Sequence, residues 1–245
     1  MREVLVQGKS KIVYDGSGQS QGRSDSECSL ILKFTDVLTA GNGVKKAEIA
    51  GKGRVNTQIS QIIFEYLADC GGISTHFIRA ISDDEMLVKK AEIIPIEVIV
   101  RNTAAGGFSR KYGVAEGAFL DNVVVEFCRK SDELGDPMMN ESQITAIGLA
   151  SAAELDEMRR QALRINEVLT QLFSHARIRL VDFKLEFGRC ENQIILCDEI
   201  SPDSCRLWDA ETSEKLDKDR FRHDLGDVLE GYQEVLERLK YARYF

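Results

Sequence analysis

Residues 181–187 read Val181-Asp182-Phe183-Lys184-Leu185-Glu186-Phe187, and residues 194–199 read Ile194-Ile195-Leu196-Cys197-Asp198-Glu199. The first stretch alternates strictly, so as a β-strand it has an apolar core face and places Asp182, Lys184 and Glu186 together on the other face. Gly188–Gln193 supplies the turn, and the pair reads as a hairpin over Leu180–Ile200. The turn length decides what the hairpin carries. With a three-residue loop, 186 pairs with 196 and Glu186 and Asp198 are diagonal neighbours on one face. A two-residue loop puts them on opposite faces. Paired carboxylates beside phosphate oxygens and water are how Mg²⁺ is held in ATP sites; a solvated face of cross-strand ion pairs reads the same way.

Helices flank this hairpin. Ser151-Ala152-Ala153-Glu154 is a capping box, and Leu155, Met158, Ala162, Ile165, Val168/Leu169 and Leu172 follow at helical spacing. A last helix is expected near Arg220–Tyr241, with Phe221, Leu225, Val228/Leu229, Tyr232, Leu236 and Leu239 as its stripe. The first third differs. Lys11–Asp15, Ser29–Phe34, Glu85–Lys89 and Ile94–Val100 read as strands, with one intervening helix carrying Val55, Ile59, Ile62, Ile63, Tyr66 and Leu67 and stopping at Gly71-Gly72. Strand after strand implies an antiparallel sheet. The expectation is an α+β protein divided near residues 88–92, with a mainly antiparallel β lobe over 1–90 and a larger α+β lobe over 91–245.

The 245 residues carry a net charge of −8, with 43% hydrophobic and 29% charged residues. That composition is globular, and the acidic balance argues against a surface that coats nucleic acid. No apolar run is long enough to cross a membrane, and the N-terminal residues lack the pattern of a signal peptide. The six cysteines form no Cys-x-x-Cys and read as buried reduced thiols of a cytosolic protein. The three histidines are scattered, which leaves zinc without a ligand pattern.

Three further segments carry charge beside glycine or serine. Gly8-Lys9-Ser10-Lys11 lacks the upstream glycine of a Walker A loop; it is either a plain turn or a hairpin whose amides and lysines cover phosphates. Arg101-Asn102-Thr103-Ala104-Ala105-Gly106-Gly107-Phe108-Ser109 follows a buried strand, and an Arg with a glycine pair and Ser can cradle a phosphate. Ser201-Pro202-Asp203-Ser204-Cys205-Arg206 holds a second anion-binding candidate. Protein-kinase signatures and Gly-x-Ser-x-Gly are absent.

These segments, taken with Gly51-Lys52-Gly53-Arg54-Val55-Asn56, Pro95–Asn102, Asp136-Pro137-Met138, Asp198–Asp209 and Asp217-Lys218-Asp219-Arg220-Phe221-Arg222, resemble the SAICAR synthetase family nearly end to end. The resemblance implies a two-lobed fold with a kinase-like or ATP-grasp-like nucleotide cleft. It implies ATP, carboxyaminoimidazole ribonucleotide (CAIR) and L-aspartate as substrates, Mg²⁺ as cofactor, and a cytoplasmic homodimer that binds neither nucleic acid nor membrane. Residue by residue, it places Gly8, Lys9, Ser10, Lys11 and Lys130 on the ATP phosphates, Glu186 and Asp198 on the metal, and Lys184 and Asp203 where the substrates meet. Arg101 and Arg206 fall to the ribonucleotide phosphate, and Asn42 and Ser109 to the same substrate. The chain departs from the family pattern at Val37, at Asn42 and at Gly107, where a phosphate-binding Ser is usual and Ser109 or the Gly107 amide substitutes. A small-molecule kinase and a catalytically silent nucleotide sensor are the rival readings.

Overall fold

A computed structural model describes residues 2–17, 29–41 and 43–245. The chain runs β1 (Val4–Gln7), β2 (Lys11–Asp15), β3 (Ser29–Phe34), β4 (Val37–Ala40), β5 (Lys45–Glu48), α1 (Lys52–Gly71), β6 (Phe77–Ser82), β7 (Glu85–Lys89) and β8 (Glu92–Thr103). It continues through α2 (Gly106–Tyr112), β9 (Phe119–Arg129), β10 (Met138–Met139), α3 (Glu141–Ala146), α4 (Ala152–His175), β11 (Ile178–Cys190), β12 (Gln193–Cys197), β13 (Cys205–Asp209), α5 (Asp219–Arg222) and α6 (Val228–Ala242). The fold is α+β. One antiparallel sheet has the order β1-β2-β3-β7-β6; the other runs β10-β9-β8-β11-β12, with β13 also on β11, and β4-β5 is a separate hairpin.

The second sheet is two-faced because its strands alternate. Val98 and Val100 of β8 lie opposite Leu185 and Phe183 of β11, and all four are buried in the core. α4 packs on this side. Its stripe of Leu155, Met158, Ala162, Ile165, Leu169 and Leu172 is no more than 1% exposed, and each such large side chain contributes roughly 1.5–3 kcal/mol. The helix starts where the capping box places it: Ser151 Oγ accepts from Glu154 N–H, and the Glu154 carboxylate accepts from Ser151 N–H at 2.7 Å. α1 packs against α4 and α6, so the residues of both sheets join one apolar core. It ends at Gly72, whose φ of 60° forms a left-handed C-cap that returns its N–H to Ala68 and Leu67 carbonyls.

Two local expectations change. The helix expected over Arg220–Tyr241 is split into α5 and α6, because Asp224, Gly226 and Asp227 take φ values of 55°, 76° and 45° that no helix continues through. The β11–β12 turn has two residues, Glu191 and Asn192, both at positive φ. Glu186 therefore lies opposite Cys197, not Leu196.

Candidate active site

The other face of the β8–β11 pair is the floor of a cavity of about 670 Å³. Asp182 faces Arg101, Lys184 faces Ile99, and Glu186 faces Glu97 across the two strands. The period-two reading of residues 181–187 thus delivers an acid–lysine–acid row into one space. Lys184 donates to Glu97 and Glu186 at 2.8 and 2.7 Å. Burial alone would pull its pKa down, but Glu186, Asp198 and Glu97 hold it well above the ordinary lysine value. Glu97 has its own pKa raised, by burial first.

Asp198 reaches the same cavity by a different route. Strand alternation after a two-residue turn would send it to the face opposite Glu186. β12 ends at Cys197, however, and Asp198 takes a φ of 66°. That left-handed residue breaks the alternation, and the carboxylate lines the cavity with Glu186. Glu186 is paired with Lys130 and Lys184, and Asp198 with Lys11. Burial pushes the Asp198 pKa up, yet Lys11 and Lys184 overcome it and hold the carboxyl well below the usual range.

The lysine hairpin closes one side. β1 and β2 are joined by Gly8-Lys9-Ser10, with Gly8 N–H donating to the Lys11 carbonyl at 2.8 Å. Lys11 reaches Asp198 and Glu199, and Lys9 reaches Asp132 at 2.6 Å. Lys11 also stays protonated: burial lowers its pKa, and the two carboxylates more than reverse this.

At the other end, Arg101 and Arg206 meet. Asp182 Oδ2 accepts from Arg101 Nη1 at 2.6 Å and from Arg206 Nη1 at 2.8 Å. Glu126 holds Arg101 Nε at 2.6 Å and Asp219 holds Arg206 Nε at 2.8 Å. Gly106, with φ of 54°, lies against the Arg206 guanidinium so closely that a Cβ there would sit 2.4 Å from Nη2. Ser109 is on α2 and is not among the lining residues; its Oγ is buried with no hydrogen-bond partner among the described residues. Asn42 lies outside the described residues.

Asp203 forms part of the wall, and both of its oxygens are held. Its Oδ2 accepts from Lys52 Nζ and Asn56 Nδ2, both at 2.8 Å, and its Oδ1 from Tyr232 OH at 2.7 Å. Burial raises its pKa, and Lys52 and Lys218 outweigh burial to keep it ionised. Sequence reasoning misses the supporting roles of Lys52, Asn56 and Tyr232, although Lys52 and Asn56 stand in a segment that carries the family resemblance; a lysine that is 1% exposed at a helix start has no sequence signature. Asp182 is readable as the third member of its strand face. Its role as the joint between two arginines is not.

Eight cationic and eight acidic side chains line the cavity. Such a surface offers fixed opposite charges to polyanionic ligands and to a cation between them. Among the described residues no group of three His, Cys, Asp or Glu holds a metal unaided. Glu186 and Asp198 are hard oxygen donors, which suits Mg²⁺ held chiefly by substrate phosphates. No helix among the described residues is long and apolar enough to cross a membrane.

The SAICAR synthetase family model matches residues 4–239. Phosphoribosylaminoimidazole-succinocarboxamide synthase of Coprothermobacter proteolyticus is 50% identical over 238 residues, covering 97% of both chains; that of Finegoldia magna is 49% identical, covering 97% of this chain and 99% of its own. The crystal structure of the Ehrlichia chaffeensis synthase superposes with a TM-score of 0.90 at 43% identity, over 97% of this chain and 98% of its own. A type-2 SAICAR synthetase in complex with ADP superposes with a TM-score of 0.89 at 42% identity, over 97% of each chain. An unbroken match in sequence and in fold, on a chain whose charged cavity joins both sheets, means that this protein belongs to the SAICAR synthetase family.

Proposed function

We propose that the chain is an ATP-dependent ligase that joins L-aspartate to the carboxylate of CAIR, giving SAICAR, ADP and phosphate in purine biosynthesis. The observation that carries this reading is the convergence, in one cavity, of a lysine hairpin, a strand-borne row of acids and lysine, and an arginine pair. A phosphoryl donor, a second phosphorylated substrate and a reacting carboxylate each need one of these.

A carboxylate is a poor electrophile. One of its oxygens attacks the γ-phosphorus of ATP, the bond to the β,γ-bridging oxygen breaks, and ADP leaves. The acyl phosphate then carries a good leaving group. The aspartate amine attacks the acyl carbon, phosphate departs, and the nitrogen loses a proton. The protein aligns three anionic reactants and offsets their charge, with no obligatory protein nucleophile. In this assignment Lys9, Lys11 and Lys130, with the Gly8–Ser10 turn, hold the nucleotide phosphates. Glu186 and Asp198 hold Mg²⁺, which when bound supplies counter-charge to the phosphoryl groups. Lys184 neutralises charge at the centre of the floor, and Asp203 faces the reacting groups. Arg101 and Arg206 take the ribonucleotide phosphate, with Ser109 and Asn42 assigned to the same substrate. Residues 1–90 and 91–245 are the two lobes, with Lys130 of the second joining the hairpin lysines of the first at the nucleotide, and the working form is a cytoplasmic homodimer.

ADP release with each substrate omitted in turn tests the reading. The ligase sustains turnover only with ATP, CAIR and L-aspartate together. Full turnover without aspartate would make it a kinase, and no ADP release under any condition would make it a sensor.

A further inference from the structure

Residues 74–76, just ahead of β6, run beside β12 and tie the two sheets together. Leu196 N–H donates to the Ser74 carbonyl at 3.1 Å, His76 N–H donates to the Leu196 carbonyl at 2.8 Å, and Lys89 N–H of β7 donates to the His76 carbonyl at 2.7 Å. The His76 side chain adds a second hold on the same atom: its Nδ1 lies 3.1 Å from the Leu196 carbonyl oxygen. A carbonyl only accepts, so Nδ1 carries the ring proton and Nε2 is a bare acceptor. Nε2 is buried and has no hydrogen-bond partner among the described residues. His76 itself is 2% exposed, and its ring meets that of Phe64 on α1 edge-on at 5.3 Å. Burial, before any other cause, lowers its pKa to about 4. A buried ring nitrogen without a partner is costly, and an apolar side chain would fill this place among Phe64 and its neighbours without that cost. The bond from Nδ1 is what a histidine supplies here and an apolar residue does not.

The atom that it holds lies close behind the metal acids. Leu196 stands two residues before Asp198, where β12 has ended and the chain turns through a φ of 66° into the cavity. A carboxylate delivered by one left-handed residue is aimed by the end of the strand before it. The charges of Asp198, Lys11 and Glu186 all reach the His76 ring, so the ring sits near the groups whose placement it affects. We propose that His76 is a positioning residue of the metal site: by gripping the Leu196 carbonyl with its side chain as well as its backbone, it fixes the end of β12 and holds the Asp198 carboxylate in place beside Glu186. The inference rests on the assignment of Glu186 and Asp198 to the metal.

The test is Mn²⁺ binding in the presence of ADP, followed by electron paramagnetic resonance, in wild type, His76→Phe and His76→Asn. Phe keeps a ring against Phe64 and loses the donor. Asn loses the ring and keeps an N–H donor at the Nδ1 position. The expected result is a Kd for Mn²⁺ raised roughly 5-fold or more in His76→Phe, the scale of one lost hydrogen bond, and within about 2-fold of wild type in His76→Asn. A role in packing alone gives the reverse order. His76→Leu stands in for His76→Phe if the larger ring is not accommodated, and the donor-less variant decides alone if His76→Asn does not fold. Wild-type affinity in the donor-less variant, or equal weakening in both variants, overturns the proposal. Unimpaired Mn²⁺ binding in Asp198→Asn overturns the metal assignment instead.

Discussion

Arg206 donates in two directions at once, through Nε to Asp219 and through Nη1 to Asp182. Asp182 is shared with Arg101, so two arginines from distant strands are set side by side by one carboxylate. The Arg206 guanidinium also lies against Gly106, where a Cβ would sit 2.4 Å from Nη2 and 2.8 Å from Cζ. Lysine offers a point charge that cannot span Asp182 and Asp219 or grip a phosphate with paired bonds. Arg206→Lys should therefore raise KM for the ribonucleotide roughly 10-fold or more, given about 1.5–3 kcal/mol for a charged hydrogen bond, and leave KM for ATP within about 2-fold. A rise in ATP KM alone would move Arg206 to the nucleotide end of the cavity. At this scale the sequence is informative wherever periodicity does the placing: Lys184 and Glu186 share a face because strands alternate. It is silent where partners come from far away. Lys52 and Tyr232 meet Asp203 across 151 and 29 residues of chain, and no local pattern encodes such a meeting.

Elements that stand on strong periodicity or an explicit stop signal are legible in the sequence itself: α1 with its Gly71-Gly72 stop, α4 with its capping box, and the alternating β11. Short or interrupted ones are not. β4 and β5 have four residues each, too few to show a period. The helical stripe beyond Arg220 continues in sequence across a break made by three residues at positive φ. The β11–β12 register hangs on one residue of turn length, and Asp198 enters the cavity through a backbone conformation that strand logic does not anticipate. The β1–β2 hairpin is the element whose function is most exposed to a single substitution. Its turn places Lys11 between Asp198 and Glu199, where the charge is poised to pass to nucleotide phosphates. Lys11→Ala should fold, and calorimetry with a non-hydrolysable ATP analogue should show affinity reduced roughly 10-fold or more, again the scale of one charged hydrogen bond. Unchanged affinity together with unchanged kcat would mean that the hairpin does not touch the nucleotide.

For the whole molecule, the sheets, α1, α4 and α6 share one core, so its global stability registers charges buried anywhere beneath the cavity. Asp217 is the clearest such charge. It is 0% exposed, and its two oxygens accept from Leu207 N–H and Asp219 N–H, each at 2.7 Å. Those bonds favour the anion, but burial, and after it the neighbouring Asp219 charge, push its pKa up to about 7. In the unfolded chain the same carboxyl titrates near ~3.9. Between these values the folded protein keeps a proton that the unfolded chain has released. The stabilisation is therefore complete below about pH 4 and is lost as pH rises through about 7. Asp217→Asn cannot titrate; it forfeits an acceptor and so carries a constant penalty. The stability of wild type relative to Asp217→Asn should fall with a slope approaching ~1.4 kcal/mol per pH unit across that window, and level off above about pH 8. Urea unfolding of both proteins at pH 5, 6, 7 and 8 measures this directly, since every other titrating group cancels in the difference. A difference that stays flat from pH 5 to 8 would mean that Asp217 is ionised throughout and that its two backbone donors outweigh burial. The Asp217–Asp219 segment would then be an anionic brace behind Arg206 and Arg222 at every pH, in place of one that gains its second charge only near neutrality.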